Sequence, residues 1–416
     1  MYIHRQLEKE VFPLLGRKEA IAIIGPRQAG KTTFLGYLKE MLEGESKKVK
    51  FITFENKADL DLFNQSIEDF KEIAIQYDCF IIDEFQYATD GGQKLKYLYD
   101  TTKVKFIISG SSSLELTFQT GRYMVGRLME FILPPFSFRE FLSYKNPELF
   151  NLLEGKKITD IVEFDHQKTL GKEIQRRLLT LFEEYAVYGG YPAVALTENK
   201  EEKYKVLESI ANKYLLKDIQ GVLRLKATDD LWRLEKFLAG QIGNMVKYEE
   251  LSRASGLTFK ELKEHLNILE KTYIISLITP FFRNKRTELT KNPKVYFFDL
   301  GIRNFALNDL RRLTDRNDSG AMAENYIYNV LERNFYPADI KYWRTKSKAE
   351  VDFILEKEQA LLPFEVKYSS KKIIGKSLYS FINKFNPPNA VIFTKDLVSE
   401  EKIGNTTLKF IPLFYF

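Results

Sequence analysis

The chain has 416 residues, of which 44% are hydrophobic and 29% are charged. At roughly 150 residues per domain, this length predicts two to three domains and excludes a single small fold. The composition is that of a globular chain and excludes extensive disorder. Sixty-three basic and 57 acidic residues leave a net charge of +6. This excess is too small to indicate a dedicated nucleic-acid-binding protein, so partners that carry phosphate are allowed but not required.

Several classes of chemistry and location are excluded by scarce residue types. The single cysteine, Cys79, lies in an apolar run and is expected to be a buried small hydrophobe, which fits a reducing cytoplasm. The three histidines, His4, His166 and His265, are far apart, which excludes a zinc cluster or a histidine-based triad. The first residues do not resemble an export signal, and no apolar stretch approaches the roughly 18 residues of a membrane helix. We therefore expect a cytoplasmic protein without a membrane partner.

The first third of the chain alternates short apolar runs with helical stretches. Such alternation predicts βαβ units, and hence a parallel sheet covered by helices on both faces. The apolar runs are residues 20–24, 50–54, 80–82 and 105–108.

The strongest signal follows the first of these runs and matches the phosphate-binding P-loop pattern in full. It lies between a predicted strand and a predicted helix, as the pattern requires. Its backbone N–H groups would surround the β-phosphate, Lys31 would reach the β- and γ-phosphates, the Thr32 hydroxyl would bind Mg²⁺, and Thr33 would contact the α-phosphate. The expected nucleotide-binding residues are Gly25, Pro26, Arg27, Gln28, Ala29, Gly30, Lys31, Thr32 and Thr33.

Two carboxylates follow the third apolar run, the arrangement known as Walker B. At the carboxyl end of a buried strand, Asp83 would hold the Mg²⁺ shell and Glu84 would polarise the attacking water. An acidic pair after a strand is more often a solvated loop, but the P-loop about fifty residues upstream reverses that preference. Glu84 favours hydrolysis of ATP over binding alone.

The next strand ends in a serine-rich segment, where Ser109 or Ser111 would stand as a sensor residue between the carboxylates and the γ-phosphate. A serine-rich turn that caps a helix is an equally good interpretation. Farther along, Arg122 and Arg127 each follow a glycine. Either would supply positive charge to the transition state, in cis or across a subunit interface.

The middle of the chain is predicted to be helical, then to form a helix-turn-helix with a wing-like hairpin. Residues 146–238 have a long, charged helical pattern interrupted at residues 189–192, and two short amphipathic helices flank Gly256. DNA contact would use Lys260, Lys263 and His265 on the second helix and Arg283, Lys285 and Arg286 on the wing. Many such modules only connect domains, so both interpretations stay open.

The last hundred residues return to an α/β pattern after a linker candidate at residues 315–320. Glu365 and Lys367 share one face of a predicted strand, and Asp352 on the neighbouring strand can meet them. Asp352 and Glu365 would clamp one divalent ion, with Glu324 adding a ligand from the preceding helix and Lys367 stabilising charge. This is the pattern of PD-(D/E)XK nucleases. The alternative is a nuclease-like fold whose carboxylates form a charged, non-catalytic surface. Nearby basic side chains that would contact phosphate are Arg344, Lys367, Lys371 and Lys372.

These motifs together resemble the prokaryotic AAA-type ATPases that carry a C-terminal domain of unknown function. The resemblance rests on the P-loop, on Ile82 to Gln86, on Ser109 to Ser113, on Gly126-Arg127 and on Pro135 to Phe141, and it continues through residues 189–192, 217–218 and 294–299. It implies an ASCE-type sheet with the acidic strand beside the P-loop strand, a winged-helix module and a nuclease-like end. It also favours Arg127 over Arg122 as the functional arginine.

The sequence thus predicts a P-loop α/β domain over residues 1–145, a helical connector over 146–240, a winged-helix-like module over 241–315 and a PD-(D/E)XK-like domain over 316–416. The expected function is an Mg²⁺-dependent ATPase that controls its C-terminal half. The alternatives are an ATP-gated, Mg²⁺-dependent DNA nuclease and a nucleotide-switched regulatory module with negligible turnover. ATP and Mg²⁺ are the expected cofactors. DNA, a second copy of the chain and a protein partner all stay open as partners.

Overall fold

The computed structural model describes residues 2–111, 123–156, 158, 160–214, 229–284, 288, 291–357 and 360–416. Four groups of predicted residues lie outside these ranges: Ser112 and Ser113, Arg122, the pair Lys217 and Asp218, and the wing residues Lys285 and Arg286. Within the described ranges, no helix is both long enough and apolar enough to cross a bilayer.

The N-terminal part contains a five-stranded parallel sheet, as the alternation predicts. Its order is β2-β3-β4-β1-β5, so β4 lies between the P-loop strand β1 and the acidic strand β3. The expectation that the acidic strand lies beside the P-loop strand is therefore wrong. The strands are β1 Ala20–Ile24, β2 Val49–Thr53, β3 Cys79–Asp83, β4 Lys105–Gly110 and β5 Leu128–Ile132.

Helices cover both faces of this sheet because its strands are apolar on both faces. Ile21 and Ile23 pack with Phe34 on one face, while Ala22 and Phe106 belong to the core of the other. Cys79 is buried as expected. The helices described here are α1 Glu8–Val11, α2 Lys31–Gly44, α3 Lys57–Gln65, α4 Ile67–Ala74 and α5 Gly91–Thr101.

The chain continues into helices after β5, and the first of them begins with a capping box in which the Ser137 side chain accepts from the backbone N–H of Glu140. Among the residues described between 138 and 214, five α-helices are present. They are α6 Phe138–Lys145, α7 Pro147–Gly155, α8 Lys172–Tyr188, α9 Pro192–Ala195 and α10 Lys200–Tyr214.

The next region contains two short helices on either side of Gly256 and an antiparallel pair of strands. Gly256 ends the first of the two helices in the left-handed conformation that glycine adopts at low cost. His265 was expected on the exposed face of the second helix, but it is 3% exposed; it lies on the face that buries Leu262, Leu266 and Leu269. The elements are α11 Asp229–Gly240, α12 Tyr248–Ser255, α13 Phe259–Lys271, β6 Ile275–Ile278, β7 Lys294–Phe297 and α14 Leu300–Ala306.

The C-terminal part is a six-stranded mixed sheet in the order β12-β13-β11-β10-β9-β8. Phe364 and Phe393 belong to the core that includes residues of α15, whereas Ile354 and Ile392 pack with residues of α16. The elements are α15 Ser319–Phe335, β8 Ile340–Arg344, β9 Glu350–Lys357, β10 Ala360–Lys367, α16 Lys376–Phe385, β11 Asn389–Thr394, β12 Ser399–Ile403 and β13 Thr406–Pro412.

The linker candidate at residues 315–320 is tied into the fold. Asp318 accepts from Arg303 at 2.6 Å and from Arg316 at 2.8 Å, and both arginines are buried. Because α15 begins at Ser319, the chain passes into the C-terminal part without a free spacer.

Candidate functional site

The loop between β1 and α2 has the backbone conformation of a phosphate-binding loop. Gly25, Gln28 and Gly30 have positive φ angles of 144°, 59° and 94°. These turns let consecutive N–H groups face one concave side in front of the α2 N-terminus, which favours an anion. Lys31 is 6% exposed, and its Nζ donates to the carbonyl oxygens of Gly25 and Pro26 at 2.9 Å each.

The two residues predicted to hold Mg²⁺ are in contact although 51 positions separate them. Thr32 Oγ1 donates to Asp83 Oδ2 at 2.6 Å, because both the P-loop and the end of β3 lie at the carboxyl edge of the sheet. Ser109, at the end of the intervening strand β4, donates to the other oxygen, Asp83 Oδ1. A hydroxyl and a carboxylate are hard oxygen ligands, so this donor set fits Mg²⁺ bound together with nucleotide phosphates.

Glu84 leaves the strand in a left-handed conformation, with φ of 54°. Its backbone N–H approaches Ser109 Oγ at 3.4 Å, and Gln86 donates to its Oε2. Burial raises the pKa of the Glu84 carboxyl, while the Gln86 hydrogen bond and the charge of Lys31 partly offset that rise. A raised pKa brings a carboxylate closer to the basicity that proton transfer from water requires. The other sensor candidate, Ser111, is fully buried next to the end of β4.

Arg127 does not reach this site within its own chain. Its backbone carbonyl accepts from the Ala20 N–H at 2.8 Å, which places it at the amino edge of the sheet, whereas the P-loop follows β1 at the carboxyl edge. Its side chain pairs with Asp100 at 3.0 Å. The expectation that Arg127 acts in cis is therefore wrong, and a role across a subunit interface stays a prediction.

Backbone contacts join the P-loop to Leu133, and the side chain of Arg5 joins it to the segment Pro134–Phe141 that follows. The Leu133 N–H donates to the Ile24 carbonyl at 2.8 Å, and a Cβ at Gly25 would lie 2.4 Å from the Leu133 carbonyl oxygen. Arg5, which the sequence did not single out, donates to the Ala29 carbonyl at 2.9 Å and pairs with Glu140 at 3.2 Å. The P-loop is thus held both by Leu133 at Gly25 and by Arg5 at Ala29.

The same segment touches both later parts of the chain. Phe136 N–H donates to the Gly190 carbonyl at 2.7 Å; Gly190 N–H donates in turn to Asp299 Oδ2 at 2.8 Å. Asp299 also caps α14 through the Ile302 N–H. Arg139 donates to the Tyr415 carbonyl at 3.0 Å. We call Pro134–Phe141 the hub because it contacts the P-loop domain, the helical part and the C-terminal end.

The four nuclease-like residues are brought together in the C-terminal part, as the pattern predicts. Asp352 on β9 lies next to Glu365 on β10, and its Oδ2 accepts from the Val366 N–H at 2.7 Å. Lys367 pairs with Glu365 Oε1 at 2.6 Å. Glu324, on α15, faces the same cluster. The carboxylate cluster thus comprises Glu324, Asp352 and Glu365, with Glu350 at its rim.

A lysine from the hairpin enters this cluster. Lys294, at the start of β7, is 1% exposed and pairs with Glu324 at 3.1 Å and with Glu350 at 2.7 Å. Tyr296 on the same strand donates to Glu324 Oε1 at 2.6 Å. Burial opposes the charged form of Lys294, but the carboxylates of Glu324, Asp352 and Glu350 outweigh it and raise the pKa of the ammonium.

The geometry of the cluster does not match a divalent-metal site. Among the described residues, no group of three or more acidic, histidine or cysteine side chains is arranged to hold a metal ion. The ammonium groups of Lys294 and Lys367 already pair with its carboxylates. The two lysines do not satisfy the whole cluster, since Glu365 Oε2 is buried without a hydrogen-bond partner. Burial, together with the neighbouring Glu324 and Glu365, raises the pKa of Asp352.

The remaining basic candidates are placed as follows. Arg344 pairs with Glu350 at 2.6 Å. Lys372 pairs with Glu401. Lys371, Lys260 and Lys263 are exposed.

Three residues that now belong to the sites, Lys294, Tyr296 and Asp299, were not predicted from the sequence, although all three lie in the mostly apolar run Lys294 to Asp299. The signal available was a charged residue, Lys294, at the start of an apolar strand, and a second one, Asp299, two residues beyond the end of that strand.

Three family models match consecutive parts of the chain. Residues 17–142 match an AAA domain. Residues 179–317 and 319–415 match two domains of unknown function, DUF8612 and DUF4143. The AAA match, the P-loop and the Thr32–Asp83 contact together define the N-terminal part as an AAA-type P-loop ATPase domain.

Relatives of similar length occur in bacteria and archaea. An uncharacterized protein of Haemophilus influenzae is 25% identical over 362 residues, which cover 83% of this chain and 82% of that protein. An uncharacterized protein of Methanocaldococcus jannaschii is 24% identical over 360 residues, covering 82% and 73%. One of Mycobacterium tuberculosis is 25% identical over 371 residues, covering 88% and 74%.

Two solved structures illustrate a weak likeness to this chain, and one of them is the replication initiator DnaA. DnaA bound to AMPPCP and single-stranded DNA has a TM-score of 0.32 at 14% identity and covers 65% of this chain and 90% of its own. The ORC1 protein of Aeropyrum pernix in complex with DNA has a TM-score of 0.31 at 14% identity and covers 74% and 93%. These scores are too low to support an argument about the whole chain.

Proposed function

We propose that the chain is an Mg²⁺-dependent ATPase whose nucleotide state is transmitted through the hub to its middle and C-terminal parts. The observation that carries the proposal is the 2.6 Å contact between Thr32 Oγ1 and Asp83 Oδ2, beside a P-loop in the phosphate-binding conformation. It brings the two oxygen ligands expected for Mg²⁺ to the place where the β- and γ-phosphates would lie.

Each residue then has a separate task during hydrolysis. Lys31 would exchange its two backbone carbonyl acceptors for phosphate oxygens, and Thr32 and Asp83 would hold Mg²⁺, which neutralises charge on the transferring phosphoryl group. Glu84 would accept a proton from the water whose oxygen attacks the γ-phosphorus, as the bond to the β–γ bridging oxygen breaks. Ser109 would fix the orientation of Asp83. The products are ADP and phosphate.

Phosphate release measured with and without Mg²⁺ tests this proposal. Lys31→Ala should lower turnover by about 100-fold or more, and Glu84→Gln should lower turnover by a similar factor while retaining bound ATP. Lys39→Ala, on the same helix α2 but paired with Glu43, is the matched control and should stay within about two-fold of the wild type. Full turnover in Lys31→Ala would contradict the proposal. Stoichiometric ATP binding with negligible turnover in the wild type would instead favour a nucleotide-switched module.

Coupling to the rest of the chain is supported by a series of contacts. Gly25 lies against Leu133, which directly precedes the hub, and Ala29 is linked to the hub residue Glu140 through Arg5. The hub in turn contacts Gly190, which bonds to Asp299. A Cβ at Gly190 would lie 2.1 Å from the Phe136 carbonyl oxygen, so this junction has no room to adjust independently. Hydrogen exchange of the amides of residues 294–302 should therefore change when Mg²⁺ and a non-hydrolysable ATP analogue are added, and the change should be lost in Lys31→Ala. Unchanged exchange in the wild type would contradict coupling.

The nuclease alternative is favoured by one observation, the buried Glu365 Oε2 without a hydrogen-bond partner. A cation bound beside Asp352 would supply the partner that this buried carboxylate oxygen lacks. Mg²⁺-dependent cleavage that is lost in Asp352→Ala but kept in Lys31→Ala without ATP would support this alternative. The pairing of Lys294 and Lys367 with the cluster makes the ATPase the better supported function.

A further inference from the structure

The structure contains a large groove where the hairpin meets the C-terminal sheet. Beyond β6, the chain continues alongside the edge strand β8: Tyr342 N–H donates to the Thr279 carbonyl at 3.2 Å, and Phe281 N–H to the Tyr342 carbonyl at 2.6 Å. The opposite wall is the end of α16 with Lys384 and Phe385. The groove has a volume of about 960 Å³, at the upper end of the range for ligand sites in proteins.

The charge lining this groove has one sign. Of the described residues that line it, none is acidic, and five are basic: Arg283, Lys291, Arg344, Lys346 and Lys384. All but Arg344, which pairs with Glu350, are exposed to solvent. Concentrated cations in a cleft focus a positive potential that attracts a polyanion.

Aromatic side chains lie between these cations. Tyr342 and Trp343 are buried and form the floor, whereas Phe282 and Phe385 are half-buried. Arg283 and Lys384 lie over the Phe385 ring at 5.8 and 5.1 Å from its centre. A basic groove with partly exposed aromatic rings is the combination that holds single-stranded nucleic acid, because the cations follow the phosphates and the rings stack on bases.

We propose that this groove binds the sugar–phosphate backbone of a single-stranded nucleic acid. A recessed cleft admits one backbone, which favours a single strand over a duplex. The site predicted from the helix-turn-helix pattern is a weaker candidate, because the exposed Lys260 and Lys263 on α13 are interleaved with the exposed Glu261 and Glu264 and their charges cancel.

The groove also adjoins the carboxylate cluster. Lys294 Nζ lies 5.5 Å from the ring centre of Tyr342 in the floor, and it pairs with Glu324 and Glu350. Glu350 in turn binds the groove residue Arg344. A strand in the groove would therefore lie beside the cluster, and its phosphates would compete with Glu350 for Arg344. None of the described residues that line the groove belongs to the P-loop, so binding can be measured without ATP.

Fluorescence anisotropy with a labelled oligo(dT) of 20 nucleotides, in the absence of ATP, tests the proposal on the full chain. Four or five phosphate contacts predict a slope of log K against log salt of about −3 for a single strand. The double variant Arg283→Glu/Lys346→Glu should weaken binding by at least 10-fold at about 100 mM salt and reduce that slope. Lys346→Glu alone, at an exposed position, should give a smaller loss in the same direction and guards against misfolding of the double variant.

The matched control is Lys260→Glu/Lys263→Glu, which makes the same charge change on α13 and should stay within about two-fold of the wild type. Lys31→Ala should bind the oligonucleotide normally, which separates this proposal from the ATPase proposal. The groove proposal is overturned if the wild type binds neither single-stranded DNA nor RNA, if duplex DNA binds more tightly, or if polyglutamate of equal charge competes equally well. A loss in the α13 variant equal to that in the groove variant would overturn it too.

Discussion

The two acidic sites of this chain use the same residue types, and they differ in the groups that their carboxylates contact. In the P-loop site, Asp83 accepts from two neutral hydroxyls, Thr32 and Ser109, so its negative charge stays available for a metal ion. In the C-terminal site, Glu324 and Glu365 pair with the ammonium groups of Lys294 and Lys367. The difference teaches that, in this chain, spacing alone does not distinguish the two sites, and that the partners of the carboxylates do: hydroxyl groups in the first site and ammonium groups in the second.

The largest expected difference between the two sites is in ATP turnover. Asp83→Asn removes the charged Mg²⁺ ligand and should lower Mg²⁺-dependent phosphate release by about 1000-fold, in the range known for groups that stabilise a transition state. Asp352→Asn, the equivalent change in the C-terminal site, should leave turnover within about two-fold of the wild type. Both rates are measured at saturating ATP, with thermal unfolding as the check on folding. Equal losses in the two variants would break the distinction between the sites.

A smaller effect is expected on the stability of the C-terminal site. Lys294→Met removes the ammonium group that pairs with Glu324 and Glu350, although Glu350 keeps its pairing with Arg344, and it should lower the free energy of unfolding at pH 7.5 by about 3 kcal/mol. The loss should shrink as the pH falls, because burial and the neighbouring Glu324 and Glu365 raise the pKa of Asp352, and a protonated Asp352 does not need the ammonium group. Lys294→Met/Glu324→Gln should recover part of the loss. Urea unfolding measures the change, with the exposed Lys291→Met as the control. An unchanged stability would show that Lys294 does not balance the cluster.

The smallest effect concerns the pH dependence of turnover. Burial raises the pKa of Glu84 and the hydrogen bond from Gln86 lowers it, so Gln86→Leu should raise that pKa further. Glu84 then stays protonated, and inactive as a base, up to a higher pH. The acidic side of the pH–rate profile, where turnover rises with pH, should therefore move to higher pH. On the acidic side of the profile, the variant should turn over about five-fold more slowly than the wild type, which corresponds to one hydrogen bond of about 1 kcal/mol. Tyr87→Phe, at an exposed neighbouring position, is the control. A limb that moves to lower pH, or not at all, would contradict this role for Glu84.

The sequence predicted the local features well, for physical reasons. The P-loop, the strand that ends at Asp83 and the antiparallel pairing that joins Asp352 to Glu365 depend on short segments with their own apolar periodicity and turn residues. Features that depend on distant partners were missed. The insertion of β4 between β1 and β3, the amino-edge position of Arg127 and the entry of Lys294 into the carboxylate cluster all require the tertiary arrangement.

The hub shows an intermediate case. Pro135 to Phe141 was singled out because it contributes to a family resemblance, but its role could not be inferred from its residues alone. Its function in the fold comes from backbone groups, such as the Phe136 N–H that bonds the Gly190 carbonyl, and backbone donors carry no sequence signature. The same holds for Arg5, whose partners Ala29 and Glu140 lie 24 and 135 positions away along the sequence.

The most direct test of the difference between the two sites is a count of bound Mn²⁺ by electron paramagnetic resonance, with Mn²⁺ in place of Mg²⁺. We predict one tightly bound ion per chain that appears only when a non-hydrolysable ATP analogue is present, persists in Asp352→Ala and is lost in Lys31→Ala. An ion that binds without nucleotide and is lost in Asp352→Ala, or nucleotide-dependent binding that survives Lys31→Ala, would contradict the account.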